Sequence, residues 1–207
     1  MMLRQFGLIL MTRMYWILLI IILYAYPGYA LLLLLLSKMK QLFVSKTPTT
    51  TLEDLPEITL LIAAYNEKSV IKDKMENTEK LDYPKDKLTV VWITDGSDDG
   101  SPEILKGYPD VTVLHEPTRK GKTAALNRAM KHISTPYVVF CDANTILDKN
   151  AVRFLIQGFA DEKTGCVAGE KRIASSSVDF AAGAGEGVYW QYESWIKQLE
   201  SKLYSAV

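Results

Sequence analysis

Cysteine is scarce in this 207-residue chain, which carries only Cys141 and Cys166. Each sits inside an apolar run, a pattern that predicts buried free thiols in a reducing compartment and excludes a small fold stapled by disulfides. Neither sign of charge is in excess, because 24 basic residues face 24 acidic ones. A formal net charge of +0 gives no footprint for nucleic acid or for a strongly acidic partner. No internal repeat occurs, and the one low-complexity tract is the leucine run at residues 31–36.

Charge is missing altogether from residues 14–36, MYWILLIIILYAYPGYALLLLLL. That stretch is long enough to cross a bilayer as a helix. A signal peptide would use Gly28 and Ala30 as a small-x-small cleavage site, but the leucines and then Lys38 and Lys40 follow at once. The apolar stretch therefore reads as an uncleaved anchor. Arg13 marks one end, since a basic residue at mid-bilayer costs about 2.5–3.5 kcal/mol. Pro27-Gly28 is expected to kink the span, which membrane helices tolerate. Residues 6–11 are too short to cross alone. Arg4 and Arg13 precede the span and Lys38, Lys40 and Lys46 follow it. That small excess leans toward a cytoplasmic C-terminal side, and a single-pass cell-membrane protein is the expectation.

The expected organisation is an N-terminal segment (1–13), a transmembrane helix (14–36), a linker (37–53) and a soluble domain (54–207). The linker holds the polar SKTPTTT stretch at residues 45–51. Beyond it, strands and helices alternate. ITLLIAA at residues 58–64 is a continuous apolar run, as in a strand covered on both faces. Ile71, Met75 and Thr78 follow at helical spacing. LTVVWIT at residues 88–94 is a second strand, and Ser101-Pro102 reads as an N-cap followed by proline. Residues 111–114 form a short third strand, and Leu126, Ala129, Met130 and Ile133 a helical stripe. YVVFC at 137–141 is a fourth strand, Val152, Leu155, Ile156 and Phe159 mark another helix, and residues 166–168 look like a fifth strand. The fold class is α/β, Rossmann-like, with a mainly parallel sheet between helices. Ligands of such sheets bind beyond the carboxyl ends of the strands.

Those ends carry polar residues. The first strand runs into Ala64-Tyr65-Asn66-Glu67, the second into Asp95-Gly96-Ser97-Asp98-Asp99-Gly100, and the fourth into Asp142-Ala143-Asn144. Any one of these could be a plain turn, because Asp, Asn and Gly are common there. The AAYNE, DGSDDG, GKTAALN and DAN segments, in this order and spacing, resemble family 2 glycosyltransferases of the GT-A fold. With the apolar span, the chain is most similar to membrane polysaccharide synthases, such as those for cellulose, hyaluronan and poly-N-acetylglucosamine.

The resemblance implies an inverting transfer of a hexosyl group from a UDP-sugar to a glycan or lipid-linked acceptor. It implies that Ala64, Tyr65 and Glu67 hold the nucleotide base, with an aromatic face suited to a pyrimidine. It implies that Asp95 accepts a hydrogen bond from uracil and that Lys122 contacts the nucleotide-sugar. Asp142 and Asn144 match the Asp-x-Asp motif for Mg²⁺ or Mn²⁺, a Lewis acid for the departing diphosphate. At Asn144 the sequence departs from the motif, because a carboxamide offers oxygen without charge. Asp142 alone, or Asp142 with Asp148 from the next turn, is left to supply it. The general base is expected in a motif beyond Val207, so the chain is expected to hold the donor without transferring it. Glu170, Glu193 and Glu200 do not match that motif.

Three other nucleotide or metal readings fail on spacing. A P-loop needs glycine where Glu116 stands, and an EF-hand needs a bidentate glutamate where Lys106 stands. The glycines at 183, 185 and 187 follow no strand directly and read as a loop. The helix after them, bearing Tyr192, Trp195, Ile196, Leu199 and Leu203, reads as core-facing or lying on a membrane surface, with shaping of an acceptor site as the alternative. A non-catalytic, membrane-tethered nucleotide-sugar-binding module is the alternative to the enzyme.

Overall fold

The computed structural model describes residues 2–43, 54–161, 163–170 and 182–203. In chain order they form α1 (Met2–Leu23), α2 (Tyr29–Phe43), β1 (Ile58–Ala64), α3 (Ile71–Glu79), β2 (Leu88–Asp95) and α4 (Ser101–Leu105). Then follow β3 (Val111–Glu116), α5 (Lys122–Met130), β4 (Tyr137–Asp142), α6 (Ala151–Gln157) and α7 (Ala182–Leu203). Two compact units result: Thr49–Gly169, and a terminal unit made of Met1–Pro48 with Glu170–Val207.

In the α/β unit the four strands form one parallel sheet in the order β3-β2-β1-β4. The unbroken apolar run of β1 is explained by burial on both faces. Ile58, Leu60 and Ile62 point into a core shared with Ile71, Met75, Trp92, Leu105, Val152 and Ile156, so α3, α4 and α6 cover that face. Leu61 points the other way and joins Val91, Ile93, Ala125 and Ala129, the last two from α5. After β3 the chain returns to the far side of β1, which makes the β1–β4 junction a topological switch point. Register then sets the site: Ala64 is opposite Thr94, and Ala63 is opposite Asp142. The loops starting at Tyr65, Asp95 and Asp142 thus leave neighbouring strands at one edge, about 4.7–4.9 Å apart per strand.

Several expectations change. Residues 166–168 form no strand, and the described sheet has four. This three-residue run is bounded by Gly165 and Gly169, and it is held by side-chain packing. Val167 lies so close to Gly158 that a Cβ there would come within 2.7 Å of Val167 Cγ2. Cys166 is exposed accordingly, whereas Cys141 is buried, and both thiols are free. Ser101 is the first residue of α4 rather than its cap. Gly100 takes the cap position, and the Asp99 carboxylate accepts from Ser101 N at 3.0 Å and Ser101 Oγ at 2.5 Å. Residues 183–187 are the opening turns of α7 instead of a loop. Helix propagates back through them from the apolar stripe that follows, against about 1 kcal/mol for each glycine. The linker segment 45–51 lies outside the described residues.

In the terminal unit the apolar helix is long enough to cross a membrane, over Gln5–Lys40. At about 1.5 Å per residue it exceeds the ~30 Å hydrocarbon thickness. Between α1 and α2, Tyr24–Gly28 form one π-helical turn, with Tyr29 N–H donating to Tyr24 O. Pro27 accounts for it: proline offers no N–H to Leu23 O, and its ring clashes with that carbonyl. Gly28 eases the packing beside it, because a Cβ would sit a tight 3.0 Å from the same oxygen. Most of α1 is exposed, including Phe6, Trp16 and Ile20. On α2, Ala30, Leu33 and Ser37 are buried at helical spacing. Helix α7 packs on α2 and brings buried Leu199. Tyr192 donates to Tyr26 O at 2.5 Å, Tyr29 to Glu200 Oε1 at 2.5 Å and Lys40 to Leu203 O at 2.8 Å.

The α/β core yields one stability prediction. Trp92 is fully buried, yet its Nε1 has no hydrogen-bond partner. Trp92→Phe removes that orphaned donor together with some volume, and the two effects oppose each other. Ile62→Ala only opens a cavity, at about 2–5 kcal/mol. Chemical denaturation is expected to show the tryptophan change costing less than half the isoleucine change. Equal costs would contradict this packing account.

Candidate functional site

The loops after β1 and β2 lock together through short polar side chains. Asn66 adopts a left-handed backbone at φ 53, a conformation asparagine tolerates better than most residues. Its Nδ2 donates to Asp98 Oδ1 at 2.9 Å, and Asp98 N–H donates back to Asn66 Oδ1 at 3.0 Å. Ser97 Oγ accepts from Asn66 N at 3.2 Å, and Asp99 Oδ2 accepts from Lys68 N at 2.9 Å. Asp98 and Asp99 are thus loop fasteners, as turn chemistry alone would have them. Glu67 is half-buried and opens a single 3-10 turn, its carbonyl accepting from Val70 N at 3.1 Å.

Asp95 is different. It is 5% exposed at the end of β2. Its Oδ2 accepts from Lys120 N at 2.8 Å and Gly121 N at 2.7 Å, while Arg128 Nη1 stands 3.4 Å from Oδ1. Burial pushes its carboxyl pKa up, but the two backbone N–H groups and the Arg128 guanidinium outweigh burial and hold it below the usual value. Arg128 also donates to Thr94 O at 3.2 Å, so one guanidinium braces the end of the strand. Gly96 lets the next loop come this close. Its φ is +73, and a Cβ there would lie 2.6 Å from Arg119 Cβ. Arg119 in turn stacks on Tyr65, 3.9 Å from its guanidinium carbon to the ring centroid. Tyr65 remains 43% exposed, whereas Ala64 behind it is buried.

Lys122 opens α5 and forms an ion pair with Asp142 at the end of β4, both side chains half or more exposed. Asn144 is exposed two residues on, with buried Ala143 between. Asp148 is engaged locally, its Oδ1 accepting from Asn150 N at 2.8 Å just ahead of α6. Among the described residues no three His, Cys, Asp or Glu side chains cluster as a metal cage. The structure therefore gathers Tyr65, Asp95, Lys122, Asp142 and Asn144 at one sheet edge. Sequence reasoning missed Arg119 and Arg128. Arg119 lies beside Lys122 in the TRKGK segment, and its proximity was a usable signal. Arg128 reads from sequence as an ordinary charged helix residue. A shallow concavity lined by Tyr137, Val138, Phe140 and Phe159 lies along β4 and lacks this set of groups.

The chain has known relatives. Residues 59–203 match the model of glycosyl transferase family 2, and the chain belongs to that family. Over 138 residues it is 36% identical to the poly-beta-1,6-N-acetyl-D-glucosamine synthase of Staphylococcus aureus, covering 65% of this chain and 33% of the relative. The synthase of the same name from Staphylococcus epidermidis is 33% identical over 124 residues, covering 58% and 30%. The chain thus spans about a third of the length of the curated relatives it matches. Among solved structures, a mannosyltransferase of Pyrobaculum calidifontis in complex with GDP-Man and Mn²⁺ superimposes with a TM-score of 0.57. It is 29% identical, over 69% of this chain and 43% of that one. The fold is accordingly the GT-A-like α/β fold, with one apolar N-terminal helix compatible with membrane anchoring.

The pairing of Asp95 yields a pH prediction. A carboxylate whose folded pKa is depressed stabilises the fold above its unfolded pKa, and that stability is lost as pH falls through the folded value. Asp95→Asn is expected to be less stable than the parent at pH 7. The difference should close as pH falls below the ordinary value of 3.8 toward the depressed one. Urea denaturation at a series of pH values measures it, and a gap that is constant with pH would contradict the assignment.

Proposed function

We propose that the sheet edge binds a UDP-sugar and serves transfer of its hexosyl group to a glycan or lipid-linked acceptor in one inverting displacement. The observation that carries this reading is the convergence of Tyr65, Asp95, Lys122 and Asp142 at the switch point of a family 2 glycosyltransferase domain. The names of the staphylococcal relatives support N-acetylglucosamine as the sugar and a growing glycan as the acceptor. Tyr65 offers a ring face for a pyrimidine, and Asp95 has lone pairs left on Oδ1 for a base N–H. Ala64 and Glu67 border that shelf. Lys122 is an exposed cation at a helix start, suited to a diphosphate.

Asp142 and Asn144 supply two hard oxygen donors. That set fits Mg²⁺ or Mn²⁺, which binds through one or two carboxylates with substrate phosphates completing the shell. A divalent ion there supplies Lewis-acid stabilisation of the departing diphosphate. The chain's own part is an exchange of partners. Phosphate oxygens would compete with Asp142 for Lys122, and a freed Asp142 carboxylate would be available, with Asn144, to hold the cation. Mannosyltransferase likeness supports the metal but favours a different nucleotide, and the two are separable by experiment.

Lys122→Ala removes an exposed side chain, so folding is kept. Loss of a hydrogen bond to a charged group is worth about 1.5–3 kcal/mol, or roughly 10–100-fold in affinity. Calorimetry on the detergent-solubilised chain with Mn²⁺ is expected to show UDP-N-acetylglucosamine bound in preference to GDP-mannose, with that drop in the variant. Equal affinity of parent and variant would remove the diphosphate assignment, and preference for GDP-mannose would remove the uridine one.

We further propose that the α/β unit faces the cytoplasm, supported by Lys38, Lys40 and Lys46 after the apolar helix. Cysteine-accessibility labelling in intact cells at the exposed Cys166 is expected to require a membrane-permeant reagent. Labelling by an impermeant maleimide would place the unit outside.

A further inference from the structure

Helix α3 carries a lysine sealed from water. Lys74 is 0% exposed. A buried polar head group is costly unless hydrogen bonds replace its hydration, and an acid is the usual partner. Among the described residues Lys74 makes no ion pair. Its Nζ donates to Thr145 O at 2.5 Å and to Cys141 Sγ at 3.0 Å. The Cys141 thiol in turn lies 3.4 Å from Asp142 O. One turn further along α3, Asn77 brackets Leu147: its Nδ2 donates to Leu147 O at 2.7 Å, and Leu147 N–H donates to Asn77 Oδ1 at 2.9 Å.

All these partners belong to the end of β4 and the segment that follows it. The segment's other ties are Ala143 N–H to Ala63 O at 3.2 Å, Thr145 N–H to Asp142 O at 3.1 Å, the exposed Asp142–Lys122 ion pair and the packing of Ala143 and Leu147 on the core. Side chains of Asp142 and Asn144 point outward from a backbone that α3 grips from inside.

We propose that Lys74 is a positioning residue for the metal-binding oxygens, acting with Asn77. By holding Thr145 O, Cys141 Sγ and Leu147, the pair fixes the backbone at residues 141–147, so that Asp142 and Asn144 present their oxygens together to the divalent cation of a bound nucleotide. This rests on the nucleotide-sugar reading above. Groups that orient ligands in this way are typically worth about 10–100-fold in metal affinity.

The test uses the full detergent-solubilised chain and its affinity for UDP, measured with Mn²⁺ and again with EDTA. The ratio of the two affinities reports the metal alone. Lys74→Met keeps the length and removes the donors, and Asn77→Asp keeps the acceptor for Leu147 N while losing the donor to Leu147 O. Both variants are expected to lower the ratio, the lysine change by about 10-fold or more, with little change in the EDTA affinity. Amide hydrogen exchange at residues 143–147 should quicken in both, without nucleotide. A general structural defect would instead lower both affinities together and leave the ratio unchanged. Unchanged ratio in both variants overturns the proposal while leaving the nucleotide reading intact, and Asn77→Asp decides the matter if Lys74→Met does not fold. A parent chain that binds no UDP under either condition overturns the nucleotide reading and this proposal with it.

Discussion

A desolvated carboxylate at the end of β2 needs donors, and the way Asp95 obtains them organises the candidate site. Two of its three partners are backbone N–H groups, those of Lys120 and Gly121, so satisfying the carboxylate fixes a stretch of main chain. That stretch connects β3 to α5. Once it is pinned, Arg119 comes to rest on Tyr65 and Lys122 comes within reach of Asp142. Gly96 is the steric condition for this arrangement, because any Cβ there would drive the Arg119 backbone away.

The second ion pair at the edge has the opposite character. Lys122 and Asp142 have side chains 61% and 50% exposed. Pairs of that kind contribute about 0–1 kcal/mol and exchange partners readily. The Tyr65–Arg119 stack is likewise at the surface, worth about 0.5–1 kcal/mol. The sheet edge thus combines a rigid inner frame, Asp95 with Arg128, and exposed outer contacts that cost little to exchange. The proposed nucleotide-sugar site would use both properties, because a carboxylate locked as firmly as Asp95 could not turn to a cation.

The unbroken apolar runs made the first, second and fourth strands legible from sequence, and their polar ends identified Tyr65, Asp95, Asp142 and Asn144. Position along the sheet did that work, since every strand points its carboxyl end to one edge. Some of what stayed hidden lies in contacts that leave no pattern in a sequence. Arg128 braces the carbonyl of Thr94, and Lys74 holds a carbonyl and a thiol; backbone and thiol partners leave no spacing rule in a sequence. Asp98 and Asp99 look as functional as Asp95 in DGSDDG, yet of the three only Asp95 is buried, and only the fold shows that it pins the stretch before α5 while the other two fasten the loops after β1 and β2. Residues 166–168 had strand-like composition, but with glycines on both sides the short run packs through Val167. The span showed its proline clearly. That the proline produces one π turn, with Tyr192 donating to the carbonyl of Tyr26, required knowing where α7 lies.

In the proposed site Asp142 would give up Lys122 for a divalent cation only when a nucleoside diphosphate is present. Electron paramagnetic resonance of Mn²⁺ titrated into the detergent-solubilised chain tests this directly, because bound and free Mn²⁺ have distinct spectra. Little bound Mn²⁺ is expected in the free chain, a bound signal once UDP is added, and loss of that signal in Asp142→Ala beyond what UDP alone retains. Mn²⁺ bound equally with and without UDP, or unaffected by the loss of Asp142, would contradict it.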